Sequence, residues 1–205
     1  MQNIVFYIAK SLRFILNYFS KIVSSYFSRI KFYINNVEFK EIKSNGVPYV
    51  MVARGGCFKI GHSFRINNGL KGNPIGRPQK CVFFVNKGAF LVIGNNVGIS
   101  STAIIVTSKI TIGNNVKIGG GVCIYDTDFH SLDPKLRNNN LIDINNRISK
   151  PVFIKENVFI GAHSTILKGV TIGKNSIIGA CSVVTKSIPD NEIWAGNPAH
   201  YIKSI

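Results

Sequence analysis

The chain has 205 residues, of which 45% are hydrophobic and 17% are charged. This composition excludes an intrinsically disordered chain, because it supplies enough apolar surface for a folded core. Lys and Arg number 25 and Asp and Glu only 9, a net charge of +16, which favours an anionic partner such as a membrane surface or a phosphorylated small molecule. The basic residues are scattered and no nucleic-acid-binding module is recognisable, so nucleic acid is not the expected partner.

Residues 1–36 form a strongly apolar segment with the periodicity of an amphipathic α-helix. Most of its polar residues fall on one narrow stripe of the helical wheel, namely Asn3, Lys10, Arg13, Asn17, Ser20, Lys21, Ser24, Ser28 and Lys31. Basic residues interrupt the apolar run before it reaches the roughly 18 residues of a spanning helix, and the pattern does not fit a cleavable signal peptide. We expect the apolar face to pack on the following domain or on neighbouring subunits, or to lie in the interface of an anionic membrane.

Residues 37–205 are predicted to form a second domain, whose main signature is a six-residue repeat. Branched aliphatic residues recur at this spacing at Ile154, Ile160, Ile166, Ile172, Ile178 and Val184. A period of six fits neither an α-helix nor an alternating strand. It fits a solenoid that turns a corner every six residues and points one aliphatic side chain inward from each side. Earlier in the chain the same step links Ile93, Ile99 and Ile105 and, after one inserted residue near Ser108, Ile112, Ile118 and Ile124.

Two polar segments interrupt this repeat. Residues 67–80 contain Asn-Asn-Gly, Gly-Asn-Pro and Gly-Arg-Pro, which are turn sequences and predict a loop. Residues 126–151 lack the repeat and contain Asp126, Asp128 and His130. Because insertions in repeat proteins form loops on one face that is often functional, we expect the chemistry in loop 126–151. The four cysteines (Cys57, Cys81, Cys123 and Cys181) lack CxxC spacing, and we interpret them as reduced, packed thiols of an intracellular protein.

Three features occur in a characteristic order: the hexapeptide run, the segment Asp-Thr-Asp-Phe-His at 126–130, and Ala-Gly-Asn-Pro-Ala at 195–199. Together they resemble the left-handed parallel β-helix acyltransferases. The greatest similarity is to sugar O-acetyltransferases, such as the galactoside and maltose enzymes and those that decorate capsular polysaccharide. The resemblance covers about residues 55–205 and leaves the N-terminal helix outside. It implies an all-β solenoid, a homotrimer with sites in the grooves between adjacent β-helices, acetyl-CoA as co-substrate and no metal.

The resemblance also implies roles for particular residues. His130 corresponds to the catalytic histidine, which would deprotonate the acceptor hydroxyl as it attacks the thioester. Asp126 or Asp128 would then fix the tautomer of His130 and stabilise the imidazolium. Positions that match CoA-binding residues are Ala162, Ala180, Thr185, Lys186 and Lys203, with Lys168 near the same groove. Ser101 and Thr102 match a polar position that binds the acceptor in some relatives.

The sequence therefore favours an O-acetyltransferase that acts on a sugar or polysaccharide precursor. The protein would be cytoplasmic, either free or peripheral on the inner face of the membrane. Acetylation of serine or another small molecule is an alternative, as is a non-catalytic scaffold for membrane-associated glycan synthesis. A zinc hydratase of the carbonic anhydrase type is disfavoured, because no two of the histidines (His62, His130, His163 and His200) have the close spacing of its ligands.

Overall fold

The computed structural model of the protein describes residues 2–75 and 78–205, so Met1 and the Gly76-Arg77 part of the predicted loop lie outside the described residues. The helices are α1 (Gln2–Ile34), α2 (Gly69–Gly72), α3 (Pro134–Arg137) and α4 (Asn140–Asn146). The strands are β1 (Glu38–Phe39), β2 (Ile42–Asn45), β3 (Tyr49–Val52), β4 (Cys57–Ile60), β5 (Phe64–Asn67), β6 (Val82–Val85), β7 (Phe90–Ile93), β8 (Gly98–Ser100), β9 (Ala103–Val106), β10 (Lys109–Ile112), β11 (Lys117–Ile118), β12 (Cys123–Tyr125), β13 (Val152–Ile154), β14 (Phe159–Ile160), β15 (Thr165–Ile166), β16 (Thr171–Ile172), β17 (Ile177–Ile178), β18 (Val183–Val184), β19 (Glu192–Gly196) and β20 (Ala199–Ser204).

From β1 to β18, successive strands go in turn to three sheets, which form the three sides of a solenoid. Sheet A has the order β1-β4-β7-β10-β13-β16, sheet B the order β2-β5-β8-β11-β14-β17-β19-β20, and sheet C the order β3-β6-β9-β12-β15-β18. All neighbours pair in parallel except β19 and β20, which form an antiparallel hairpin at the end of sheet B. The predicted fold, a left-handed parallel β-helix with an N-terminal helix, is confirmed.

The core of the solenoid is a stack of branched aliphatic side chains. The six residues of the repeat from Ile154 to Val184 are each 1% exposed or less. Equivalent residues of successive coils pair in register. In sheet B, for example, Ile160 pairs with Ile118 of the preceding coil and with Ile178 of the next one. Ile105 was wrongly predicted to point inward, since Ile104 and Val106 fill the core while Ile105 lies half-buried on the outer side of β9.

Asparagines form a ladder along the corner between sheets A and B. Each residue of the ladder has φ between 56° and 62°, a left-handed conformation that asparagine tolerates better than most residues. Each side-chain amide donates to the side-chain oxygen of the next coil over 2.7 to 3.1 Å, through Asn96, Asn115, Asn157, Asn175 and Asn191. The ladder satisfies the polar groups of the corner and fixes the coil register from residue 96 to residue 191.

In the part of the chain that the structure describes, the buried residues of α1 lie near its C-terminal end. Phe32 is fully buried and its ring packs against those of Phe39, Phe58 and Phe83, so that it caps the first coil. Upstream of Phe32, the large apolar side chains from Ile4 to Ile30 are exposed. Of the three predicted alternatives, packing of the apolar face on its own domain is therefore contradicted, because Ser24 and Ser28 are buried there beside Phe32. Packing on neighbouring subunits and contact with a membrane stay predictions. Among the described residues, no helix has both the length and the apolar content needed to cross a membrane.

The cysteines differ in their burial. Cys81 is fully buried, and burial raises the pKa of its thiol to about 12. Cys57 and Cys123 are half-buried and Cys181 is exposed at a corner. The prediction of packed thiols is therefore right for Cys81 and wrong for Cys181, which stands at a position with φ of 58°.

Candidate active site

The inserted loop 126–151 leaves the solenoid at the corner between sheets C and A, directly after β12. Its two ends are joined by backbone hydrogen bonds, from Asp128 N to Ile148 O and from Lys150 N to Asp126 O. Asp133 caps α3 and Asn139 caps α4, each through a side-chain oxygen that accepts from backbone N–H groups of the first turn. The loop is thus a folded unit with two short helices.

His130 and Asp143 form a close pair within this loop. His130 Nδ1 lies 2.6 Å from Asp143 Oδ2, and the backbone N–H of Ser131 donates to Asp143 Oδ1 over 2.6 Å. The hydrogen bonds from His130 and then from Ser131 lower the pKa of Asp143 below its usual value, so its carboxylate stays ionised at neutral pH. An ionised Asp143 accepts the Nδ1 proton of neutral His130, which leaves the Nε2 lone pair to act as a base.

The pair combines an exposed base with a buried acid. The His130 side chain is 71% exposed, whereas that of Asp143 is only 7% exposed. An acceptor can therefore reach the imidazole from solvent while the carboxylate is held from behind by the loop backbone. This is the arrangement that general-base chemistry requires, since the base must reach a proton and its tautomer must be fixed.

Asp126 and Asp128 were wrongly predicted to orient His130, because both carboxylates are engaged elsewhere. Asp126 is fully buried and accepts hydrogen bonds from Thr107 N, Thr107 Oγ1 and Ser108 N, over 2.7 to 2.9 Å. Asp128 forms an ion pair with Lys168, which lies in the next coil. Both residues thus fasten the base of the loop to the solenoid.

Asp143 carries no sequence signal that links it to His130. It lies 13 residues away, in the polar part of the insertion, and the only local feature is the N-terminal cap of its helix at Asn139. The pairing arises from the fold of the loop, so sequence reasoning missed it.

A groove of about 480 Å³ runs between the loop and the outer side of sheet C. It is lined by Phe84, Asn86, Ile105, Thr107, Phe129, Ile144 and Arg147. Phe129 directly precedes His130, has φ of 67°, and packs edge-on against Tyr125 with ring centroids 5.0 Å apart. The lining thus combines four apolar residues with one cation, one amide and one hydroxyl, and it includes the residue that precedes His130.

The residues predicted to bind CoA lie on three parts of the solenoid. Thr185 and Lys186 are exposed at the corner between sheets C and A, the corner from which the loop departs. Ala162 and Ala180 stack one coil apart at the corner between sheets B and C, where Cys181 N donates to Ala162 O over 2.8 Å. Lys203 lies on β20, in the hairpin of sheet B. Within one chain these five residues therefore do not meet in a single site.

Ser101 and Thr102 lie at the corner between sheets B and C but do not face solvent. Their side chains are 1% and 0% exposed, and Thr102 Oγ1 donates to Ser100 O over 2.9 Å. Contrary to the prediction, neither side chain is presented to an acceptor, because both turn into the coil.

The described part of the chain holds no group of three or more His, Cys, Asp or Glu residues that could bind a metal ion.

Part of the solenoid matches a known protein family. Residues 151–186 match the family described as bacterial transferase hexapeptide (six repeats). The hexapeptide-repeat-containing acetyltransferase VCA0836 from Vibrio cholerae is similar at 28% identity, over 70% of this chain and 72% of that one, with a TM-score of 0.54.

Two further solved structures share the fold at lower identity. AntD, an N-acyltransferase from Bacillus cereus in complex with dTDP and 3-hydroxybutyryl-CoA, is 22% identical over 84% of this chain and 85% of its own, with a TM-score of 0.61. The polySia-specific acetyltransferase NeuO is 23% identical over 82% of this chain and 80% of its own, with a TM-score of 0.54. The predicted resemblance to hexapeptide-repeat left-handed β-helix acyltransferases is confirmed, since residues 151–186 match the repeat family and the solved structures that share this fold are acyltransferases.

Proposed function

We propose that the protein transfers an acetyl group from acetyl-CoA to a hydroxyl of a sugar or polysaccharide precursor, with His130 as general base. The observation that carries this proposal is the pair of exposed His130 and buried Asp143 on the inserted loop. The similarity to VCA0836, which has also been solved in complex with acetyl-CoA, supports the donor. The similarity to a polySia-specific acetyltransferase supports a glycan acceptor.

The reaction needs one proton acceptor and close placement of two substrates. The acceptor oxygen attacks the thioester carbonyl while its proton passes to Nε2 of His130, and Asp143 stabilises the imidazolium that forms. The tetrahedral intermediate then collapses, the C–S bond breaks, and the imidazolium returns the proton to the departing CoA thiolate. The thioester is already activated, so positioning and a base supply most of the acceleration.

We infer that the site is completed between subunits of a homotrimer. The strands of sheet C contain no charged residue, whereas those of sheets A and B contain Lys59, Lys109, Lys43, Arg65 and Lys117. The outward residues of sheet C are instead apolar or weakly polar, among them Val82, Phe84, Ala103, Ile105, Cys123 and Tyr125. An uncharged face of this kind, beside the catalytic loop, is suited to contact with a second copy.

A subunit interface would also explain the scattered CoA residues. Thr185 and Lys186 on one β-helix and Ala162 and Ala180 on another could line the two walls of one groove. Lys186 and Lys203 would then attract the anionic nucleotide end of CoA, with the net charge of +16 assisting its approach.

The function is tested by a thiol-release screen. Acetyl-CoA would be offered with nucleotide sugars, free sugars, a sialic acid polymer, an amino sugar and serine, and CoA release would be followed against time. The proposal predicts release that depends on a hydroxyl-bearing sugar or glycan. Turnover with serine alone would support the small-molecule alternative, and turnover with the amino sugar alone would identify an N-acyltransferase. No turnover with any acceptor would support the scaffold.

A further inference from the structure

We propose that α1 docks the protein on an anionic lipid bilayer through the apolar face that points away from the solenoid. The helix is oriented with polar residues toward the solenoid and apolar residues outward. Ser24 and Ser28, which belong to the polar stripe, are buried against the solenoid, whereas Val23 and Ile30 on the opposite side are 51% and 39% exposed. An amphipathic helix that covers a core does the reverse and buries its apolar side.

Polar contacts fix this orientation. Ser25 Oγ accepts from Ser44 N over 2.9 Å, and Lys31 Nζ donates to Pro48 O over 3.3 Å. Arg29 Nη2 donates to Ile42 O over 3.4 Å, while Asn35 Oδ1 accepts from Val52 N over 3.2 Å. The C-terminal turns of α1 are therefore held with one defined side toward β2, and the other side is turned outward.

The outward surface is large and continuous. Sixteen large apolar or aromatic residues on this side of α1 are each at least 39% exposed, namely Ile4, Val5, Tyr7, Ile8, Leu12, Ile15, Leu16, Tyr18, Phe19, Ile22, Val23, Tyr26, Phe27, Ile30, Tyr33 and Ile34. Proteins that remain in water rarely expose a contiguous patch of this extent. The four tyrosines combine an apolar ring with a polar tip, a combination that favours the boundary between lipid and water.

Charge identifies the occupant of this surface as a bilayer rather than a second copy. No acidic residue precedes Glu38, and of the five cations of the helix Arg29 and Lys31 donate to carbonyls of the solenoid. Lys10, Arg13 and Lys21 lie on the part of the polar stripe upstream of these contacts, from which long side chains can reach headgroups beside the apolar face. Helices from several copies would bring like charges together, whereas anionic headgroups neutralise them. The apolar residues also span about half of the helical wheel, which is wider than the a/d seam of a coiled coil and typical of an interfacial helix.

A cationic groove beside α1 strengthens this assignment. The groove has a volume of about 560 Å³ and lies between the helix and the first two strands of sheet B. Its lining includes Lys21, Arg29, Lys43 and Arg65 together with Tyr18 and Tyr26, and no acidic residue is among the residues that line it. Lys43 also pairs with Glu41 outside the groove at 3.1 Å. Four cations around an apolar trough fit the phosphate of a lipid headgroup and the first part of its chain.

The test is co-sedimentation of the full chain with lipid vesicles. We expect binding to vesicles of equimolar phosphatidylcholine and phosphatidylglycerol, and weak binding to pure phosphatidylcholine. A double substitution, Phe19→Ser with Val23→Ser, should weaken binding about 100-fold, because it removes two side chains that would be buried in lipid. The matched control, Tyr201→Ser with Ile202→Ser, removes two exposed side chains of β20 and should bind as the unmodified protein does.

A triple substitution tests how much the cations around the groove contribute to membrane binding. Lys21→Gln, Lys43→Gln and Arg65→Gln together should weaken binding to the anionic vesicles about 100-fold, since each cation near such a surface contributes about a factor of five. Removal of the same charge at Lys59, Lys87 and Lys109, which do not line the groove, should have a much smaller effect. High salt should reduce binding of the unmodified protein.

Three outcomes would overturn the proposal. The first is equal binding to the neutral and anionic vesicles, and the second is no binding to either. The third is self-association in the absence of lipid that disappears in the Phe19/Val23 variant, which would assign the apolar face to a second copy. None of these readouts depends on acetyl transfer, so the result is independent of the proposed enzymatic activity.

Discussion

Two carboxylates of the inserted loop have different tasks although they lie only 17 residues apart. Asp143 is hydrogen-bonded to the exposed His130 and has a lowered pKa. Asp126 is buried under the loop and holds the backbone of the preceding coil. The first is placed to affect proton transfer and the second to affect folding, so substitutions should separate the two effects.

Substitution of Asp143 tests its role in positioning the base. Asp143→Asn should lower kcat for acetyl transfer about tenfold to a hundredfold with little change in KM, because His130 loses the partner that fixes its tautomer. Asp133→Asn is the matched control, since Asp133 caps α3 in the same loop and asparagine is an equally good cap. Steady-state kinetics of CoA release measures both. Equal losses in the two variants would contradict a specific role for Asp143.

Substitution of Asp126 tests its role in anchoring the loop. Asp126→Ala leaves three donors of Thr107 and Ser108 without their acceptor, so the free energy of unfolding should fall by about 3 kcal/mol. Asp133→Ala removes a carboxylate that only caps an exposed turn and should cost about 1 kcal/mol. Urea denaturation followed by circular dichroism gives both values. A loss at Asp126 no larger than that at Asp133 would refute the anchoring role.

At the scale of the element, each short strand of the solenoid alternates between core and surface. Ile178 is fully buried in the stack with Ile160, whereas its neighbour Ile177 lies half-buried on the outer side of β17. The free energy of unfolding should therefore depend much more on Ile178 than on Ile177.

This adjacent pair provides an internal comparison. Ile178→Ala should lower the free energy of unfolding by about 3 kcal/mol, because it leaves a cavity between two coils. Ile177→Ala should cost about 1 kcal/mol, since solvent can fill part of the space that it leaves. Thermal unfolding of the two variants measures the difference. Equal destabilisation would mean that the register of sheet B differs from the one described.

The sequence predicted the inward residues of the solenoid correctly where the six-residue period is regular, and less well where the length of a corner changes. From Ile154 to Val184 the period is unbroken, so each inward position follows from the one before. At Ile104, Ile105 and Val106 three consecutive apolar residues occur beside a corner of different length, and hydrophobicity alone does not tell which of them points inward. For α1 the sequence pattern predicted a polar stripe and an apolar face. It did not tell which of them meets the solenoid, because that depends on tertiary contacts such as the hydrogen bond from Ser44 N to Ser25 Oγ. The link between His130 and Asp143 is likewise a product of the folded loop.

At the scale of the whole molecule, three outer faces of different character surround one core. Sheets A and B present lysine and arginine, while the strands of sheet C present none. The inserted loop 126–151 leaves the solenoid at one edge of sheet C, and Ala162 and Ala180 lie along its other edge. Assembly through this face would therefore bring the loop of one subunit toward the corners of another, as the proposed site requires.

A charge placed on this face tests the assembly. Ala103→Lys puts an ammonium group on the outer side of β9, an inner strand of sheet C, so the protein should sediment as a monomer near 22.6 kDa, because burying an unpaired charge is costly. Thr111→Lys, on the outer side of β10 in sheet A, is the matched control and should remain a trimer. Sedimentation equilibrium distinguishes the two states. A trimer that persists in the Ala103 variant would place the interface on another face.

The rate of CoA release by His130→Ala shows whether His130 is the base in acetyl transfer. With a productive acceptor, kcat should fall by about 10² to 10⁴ while the trimer stays intact. His62→Ala is the matched control, because His62 is an exposed histidine at a corner outside the loop, and it should retain normal turnover. Unchanged turnover in the His130 variant would rule out His130 as the base.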